Sequence, residues 1–276
     1  MPSVRRAGDD ARPSVASVRT VRHGLRWRFA SGTLALLLVE SVGVAALSAV
    51  TAPAVLGVDC TGTAVPNNGR EYSLAQNIDI GTPTIGIAAT IEYTNPNVCT
   101  IPSGFAFSLA AASLAPTTTT GWVQPGWRKD QGDTESAWVC EFHNISGQNF
   151  IYQGPIGHWE HNYKMMYDSY DKLWDCFVDN TNVVSKGNLG FTSGDFVNAQ
   201  GESNARYGQI GRVDPGRLLI HNVYFWRGGT WQSAAFEDYI HAECQWPGGV
   251  QQCYSDTHYG VDEDGTYDSN LRIWTW

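Results

Sequence analysis

From residue 84 onward the chain is a succession of short β-branched, aromatic and alanine-rich runs, cut about every ten residues by Gly, Pro, Asn and Asp clusters. Runs this short cannot bury a face alone, so they must pair laterally and stack in layers. Residues 84–93, 105–114, 119–127, 136–143, 162–167, 173–178, 195–202 and 217–226 read as strands. Such spacing, with few helical patterns, predicts one all-β domain, an antiparallel β-sandwich rather than a doubly wound sheet. The single helical candidate is 233–245, where Phe236, Ile240 and Cys244 fall four apart; a loop pinned by a disulfide is the other reading. The threonine tract 117–120 reads as a loop, and no internal repeat divides the chain, so 55–276 is taken as a single domain.

The first 54 residues differ in kind. Arg5, Arg6, Arg12, Arg19, Arg22, Arg26 and Arg28 precede a nearly uncharged stretch, apolar over 34–50 except at Glu40 and followed by Ala52-Pro53-Ala54. That order predicts a secretory signal peptide, bacterial in style, cleaved after Ala54, and hence a secreted domain. An uncleaved anchor is the alternative and the only route to a membrane, because the run approaches a spanning length; Glu40 makes a permanent span costly. All six cysteines, Cys60, Cys99, Cys140, Cys176, Cys244 and Cys253, lie beyond the leader, in an even number that fits disulfides in an oxidising compartment. Many pairings are open to six cysteines. Cys244 and Cys253 suit a small loop, and Cys140 and Cys176, in strand-like aromatic stretches, are candidates to join neighbouring strands. If a propeptide is removed, the loop-like stretch 60–80 is the candidate.

Charge narrows the partners. Seven basic and three acidic residues fall in the leader, leaving 11 basic against 24 acidic residues in 55–276. A domain that acidic is repelled by nucleic acid and by anionic membrane surfaces. Thirty-one of its residues are Phe, Trp or Tyr, which demands a packed core. Familiar catalytic signatures are missing: no Gly-x-Ser-x-Gly, no Gly-x-Gly-x-x-Gly, no phosphate loop and no His-Glu-x-x-His occurs. Without Cys-x-x-Cys a zinc site is disfavoured. His158-Trp159-Glu160-His161 is the nearest approach to a metal cluster, yet on a strand His161 would point away from His158 and Glu160. The acidic turn from Asp262 and Glu263 through Asp264, Gly265 and Asp268 offers oxygen ligands without a full calcium-loop spacing. Neither a metal nor another cofactor is implied.

Two segments place functional groups on one strand face. In Trp122-Val123-Gln124-Pro125-Gly126-Trp127, Trp122, Gln124 and Gly126 share a face and Val123 the other. In Asp195-Phe196-Val197-Asn198-Ala199-Gln200-Gly201-Glu202, Asn198, Gln200 and Glu202 align against Val197, Ala199 and Gly201. The first, taken from Gly121 to Trp127 with Gly132-Asp133 downstream, resembles the Gly-Trp segment of neprosin-type glutamic peptidases. Gly201-Glu202, with Gly208-Gln209-Ile210-Gly211 after it, resembles their second segment. The resemblance implies a jelly-roll or concanavalin-like sandwich whose concave face holds the active site, a catalytic Glu202, and a first catalytic position at Gln124. Neprosin-type sequences carry glutamate there; fungal-type glutamic peptidases use a Gln/Glu dyad.

Such a dyad implies peptide hydrolysis with Glu202 as base and then acid, and Gln124 as donor to the oxyanion, at an acid-leaning optimum. Trp122 and Trp127 would wall a subsite for a polypeptide substrate, with Gln200 beside the dyad. The alternative is a secreted binding module, for carbohydrate or protein, using Trp122, Trp127, Trp159, Trp226 and Trp231 as ring platforms, whereas Trp138, Cys140 and Phe142 share a core-like face. Oligomeric state is left open.

Overall fold

The computed structural model describes residues 64–66, 69–78, 80–81, 83–101, 106–206, 209, 217–245, 247, 252–255, 259–263 and 270–275, all within the unit Ala52–Trp276. Among them are sixteen strands and no α-helix. They are β1 (Arg70–Ile78), β2 (Thr84–Ile91), β3 (Phe107–Ala115), β4 (Trp122–Asp130), β5 (Ala137–His143), β6 (Asn149–Pro155), β7 (His161–Asp168) and β8 (Leu173–Val178). The remainder are β9 (Thr181–Lys186), β10 (Phe196–Ser203), β11 (Leu218–Arg227), β12 (Thr230–Ser233), β13 (Asp238–Gln245), β14 (Gln252–Ser255), β15 (Tyr259–Glu263) and β16 (Leu271–Thr275). One sheet runs β14-β13-β1-β10-β3-β4-β5-β6 and the other β15-β16-β11-β2-β7-β8-β9, with β12 paired to β11. Every strand pair is antiparallel, and the two sheets form the expected sandwich.

Alternation explains why the sheets stack. Val197 and Ala199 of β10, Ala110, Ala112 and Leu114 of β3, Val123 and Trp127 of β4, and Cys140 and Phe142 of β5 all face inward. They meet Ile87, Ala89 and Ile91 of β2, Tyr163 and Met165 of β7, Trp174 and Cys176 of β8, and Leu218, Ile220 and Phe225 of β11. Each sheet buries one face this way and turns the other outward.

The disulfides refine the expectations. Cys140–Cys176 does not join neighbours within a sheet: it ties β5 of one sheet to β8 of the other through the core, with Cα atoms 6.3 Å apart. Cys244–Cys253 staples directly opposed residues of the β13–β14 ribbon. Cys99 is also disulfide-bonded.

Two further expectations need correction. Residues 233–245 hold no helix; they run from the end of β12 into β13, because a spacing of four satisfies the two-residue period of a strand as well as a helical turn. The stretch 60–80 is no dispensable loop over its second half, since β1 lies between β13 and β10 and pairs with both. Strands β6 and β9 lack a strand signature in the sequence because each is mostly polar or exposed at a sheet edge. The tract 117–120 is a loop as expected. The leader 1–54, Cys60, Gly208, Ile210, Gly211, Asp264, Gly265 and Asp268 lie outside the described residues. No helix among the described residues is long and apolar enough to cross a membrane.

The inter-sheet bridge closes a loop with a sequence separation of 36. On chain-entropy grounds, Cys140→Ala/Cys176→Ala should lower the unfolding free energy by about 4 kcal/mol, measured by urea denaturation under oxidising conditions.

Candidate functional site

The outward face of the first sheet carries the polar complement of its core residues. Arg70 and Tyr72 of β1, Asn198, Gln200 and Glu202 of β10, Ser113 of β3, Trp122, Gln124 and Arg128 of β4, and Glu141 of β5 line a cavity of ≈ 500 Å³. Strand parity puts them there: Asn198 and Gln200, Ser113, Trp122, Gln124 and Arg128, and Glu141 alternate with residues of the inter-sheet core, and Arg70, Tyr72 and Glu202 with the buried residues Glu71, Ser73 and Ser203. Gly126 lies between Gln124 and Arg128, where a Cβ would come within 2.1 Å of the Ala110 carbonyl; only glycine lets β4 approach β3 this closely.

These side chains form one continuous chain of hydrogen bonds. Arg70 Nε donates to Glu202 Oε1 at 2.9 Å. Gln200 Nε2 donates to Glu202 Oε2 at 3.2 Å and to Gln124 Oε1 at 3.1 Å. Ser113 Oγ donates to Gln124 Oε1 at 2.6 Å. Gln124 Nε2 donates to Glu141 Oε2 at 3.3 Å, and Arg128 Nη1 to Glu141 Oε1 at 3.0 Å. The centre is buried, with Gln124, Gln200 and Glu141 at 4, 5 and 5 % exposure. Both arginines are held over the Phe107 ring, with Cζ at 4.1 Å (Arg128) and 5.2 Å (Arg70) from its centroid.

The network fixes the amide orientations. An ionised Glu202 only accepts, so Gln200 must turn its NH₂ toward it; Gln200 then needs an oxygen from Gln124, which sends the Gln124 NH₂ to Glu141. One Gln124 N–H is left over. Burial raises the Glu141 pKa to about 7, with Arg128 opposing the rise and the Glu202 charge adding to it. Burial also raises Glu202, against the pull of Arg70 and then Arg128. The Tyr72 hydroxyl is held well above its ordinary range, by burial first and by Glu202 next. Asn198 Oδ1 is buried in the cavity wall without a hydrogen-bond partner among the described residues.

Of the residues expected at a site, Gln124, Glu202, Gln200 and Trp122 come together here, with Trp122 stacked on His143 at 5.4 Å. Trp127 does not join them. It differs from Gln124 by an odd number of strand residues, so it faces the core at 0 % exposure and its indole N–H donates to the Glu92 carbonyl. Glu141, Arg128, Arg70 and Tyr72 were not anticipated. Parity alone marks Glu141, since a core face of Trp138, Cys140 and Phe142 turns it outward, and Arg128 shares the face of Gln124.

The suspected metal positions hold other partners. His161 Nδ1 lies 2.6 Å from Asp179 Oδ2, while His158 pairs with Glu135 and Glu160 with His221, each at 3.2 Å. Asp262 accepts from Arg217 at 2.8 Å and Glu263 from the Tyr239 hydroxyl at 2.5 Å. No set of His, Cys, Asp or Glu among the described residues has metal-ligand spacing.

No protein-family model and no curated protein matches the chain. Among solved structures, it is similar to a prokaryotic β-1,3-1,4-glucanase (lichenase) from a mouse hindgut metagenome, at 10 % identity and TM-score 0.31 over 48 % of this chain and 65 % of that one. It is also similar to a glycoside hydrolase family 16 endo-glucanase from Bacteroides ovatus (11 %, TM-score 0.34, 49 % of this chain and 66 % of that one). A third is the Bacillus licheniformis β-glucanase (12 %, TM-score 0.34, 51 % and 71 %). The chain thus spans just under two thirds of the first two structures. Likeness at these scores assigns no function.

The buried carboxylates make stability depend on pH. Glu141 binds its proton more tightly folded than unfolded, so its stabilisation is complete below the ordinary value of 4.5 and is lost as pH rises through about 7. Unfolding free energy should fall by about 3 kcal/mol across that window from this group, with Glu202 adding in the same direction. Glu141→Gln should lose the Glu141 share, seen as a flatter slope in urea unfolding between pH 4.5 and 8.

Proposed function

We propose that the chain is a secreted hydrolase of the glutamic-peptidase type, cleaving polypeptide with Gln124 and Glu202. The observation that supports this most is Gln200: one amide group bonds both Gln124 and Glu202, so the pair lies no farther apart than two hydrogen bonds laid end to end. The mechanism needs one water seated against both side chains on their cavity side. Glu202, ionised beside Arg70, takes a proton from that water as its oxygen attacks the substrate carbonyl carbon. The spare N–H of Gln124 donates to the developing oxyanion, and the proton on Glu202 passes to the amine nitrogen as the C–N bond breaks. The disulfides fit an oxidising compartment and thus export.

A second reading assigns the same cleft to a polysaccharide. It rests on Glu141, a second buried carboxylate whose pKa of about 7 suits a general acid opposite an ionised Glu202.

The readings separate in one assay set: a denatured protein and a panel of polysaccharides, each incubated with the purified protein at pH 3 to 7.5. The peptidase reading expects cleavage of the protein alone, lost by about a thousandfold in Glu202→Gln and by about a hundredfold or more in Gln124→Ala. Activity should rise with pH as Glu202 ionises. Release of reducing sugar instead, abolished in both Glu141→Gln and Glu202→Gln, would favour the second reading, and no turnover of either polymer would overturn both.

A further inference from the structure

The second sheet carries a separate trough on its own outward face. Along β2, Gly86, Ala88 and Thr90 alternate with the core residues Ile87, Ala89 and Ile91 and so form an outward strip of small side chains. Taller residues of the flanking strands stand on both sides. Ala88 pairs with Lys164 of β7 on one side and Tyr224 of β11 on the other, and Thr90 pairs with Asn162. Trp231 of β12 closes one end, and the open trough measures ≈ 490 Å³.

The aromatic end is ordered in advance. Trp231 is held edge-to-face against Trp226, with ring centroids 5.3 Å apart, and lies over Gly86, where a Cβ would come within 3.3 Å of its Cη2. Lys164 is drawn onto the Phe177 ring, its Nζ 4.1 Å from the centroid. Donors stand ready in the trough: Asn162 accepts from Thr90 through Oδ1, so its Nδ2 is unspent, and the Asn180 amide and Tyr224 hydroxyl have no protein partner among the described residues.

We propose that this trough binds a neutral glycan chain, independently of the cleft on the first sheet. Uncharged amides and hydroxyls dominate its lining, with one lysine and no carboxylate, so a strongly charged ligand of either sign lacks counter-charges. The backbone groups of β2 are spent on β7 and β11, so an extended peptide cannot add as a strand, and recognition falls to side chains alone. A ring platform beside amide and hydroxyl groups matches a sugar, whose C–H face stacks on an aromatic while its rim of hydroxyls takes the hydrogen bonds.

The test titrates the purified protein with cellohexaose, chitohexaose and mannohexaose by calorimetry. At least one should bind saturably, roughly tenfold more weakly in Trp231→Ala and unchanged in Glu202→Gln. Because Trp231→Ala removes a packed ring, Asn162→Ala serves as an exposed second variant that should weaken the same hexaose about threefold or more. Absence of binding by all three hexaoses overturns the proposal. So does binding unaltered in the folded variants, or binding lost in Glu202→Gln, which would place the sugar in the other cleft.

Discussion

Two carboxylates buried on one sheet face set the terms for the rest of the first sheet. Each would be strongly disfavoured in a dry environment without compensation. The compensation is distributed: Arg70 reaches Glu202 from β1, Arg128 reaches Glu141 from β4, and Gln124 and Gln200 bridge between them. β3 contributes no charge, yet its Phe107 ring steadies both guanidinium groups and its Ser113 hydroxyl occupies Gln124. The strand order β1-β10-β3-β4-β5 is therefore a requirement of the network as much as of the core.

The two ends of that chain are alike in composition and differ in charge balance. Burial raises both carboxyls and both arginines oppose the rise at each, while Glu141 is raised further by the Glu202 charge. Beside burial, Glu141 thus carries the added push of another glutamate's charge, which favours protonation at that end of the network. The ionised end then dictates the direction of both amides, so protonation and side-chain orientation are coupled across four strands.

The sandwich has two outward faces that differ in chemical character. The first sheet offers buried charge, the second a shallow trough of aromatic and amide groups. Between them lies one continuous core, bridged by Cys140–Cys176, so neither face needs the other for support beyond that core.

Much of this was legible in the chain. Strand-length runs and turn residues pointed to an all-β sandwich, and two-residue alternation put Gln124, Gln200 and Glu202 outward against Val123, Val197 and Ala199, because pleating is a local property of the backbone. The same alternation sets Trp127 on the core side, away from the cleft. What remained hidden depends on which strands become neighbours. Arg70 belongs to a segment that reads as a loop, and only its pairing with β10 brings it to Glu202. Glu141 reads as an ordinary strand glutamate until β5 lies beside β4. Cys140 and Cys176 gave no sign that they belong to opposite sheets. The sequence by itself determined which side chains share a face, since that is a matter of geometry within one strand. The tertiary structure alone decided which faces meet and which charges are buried together, since strand order arises from pairing between segments far apart in the chain.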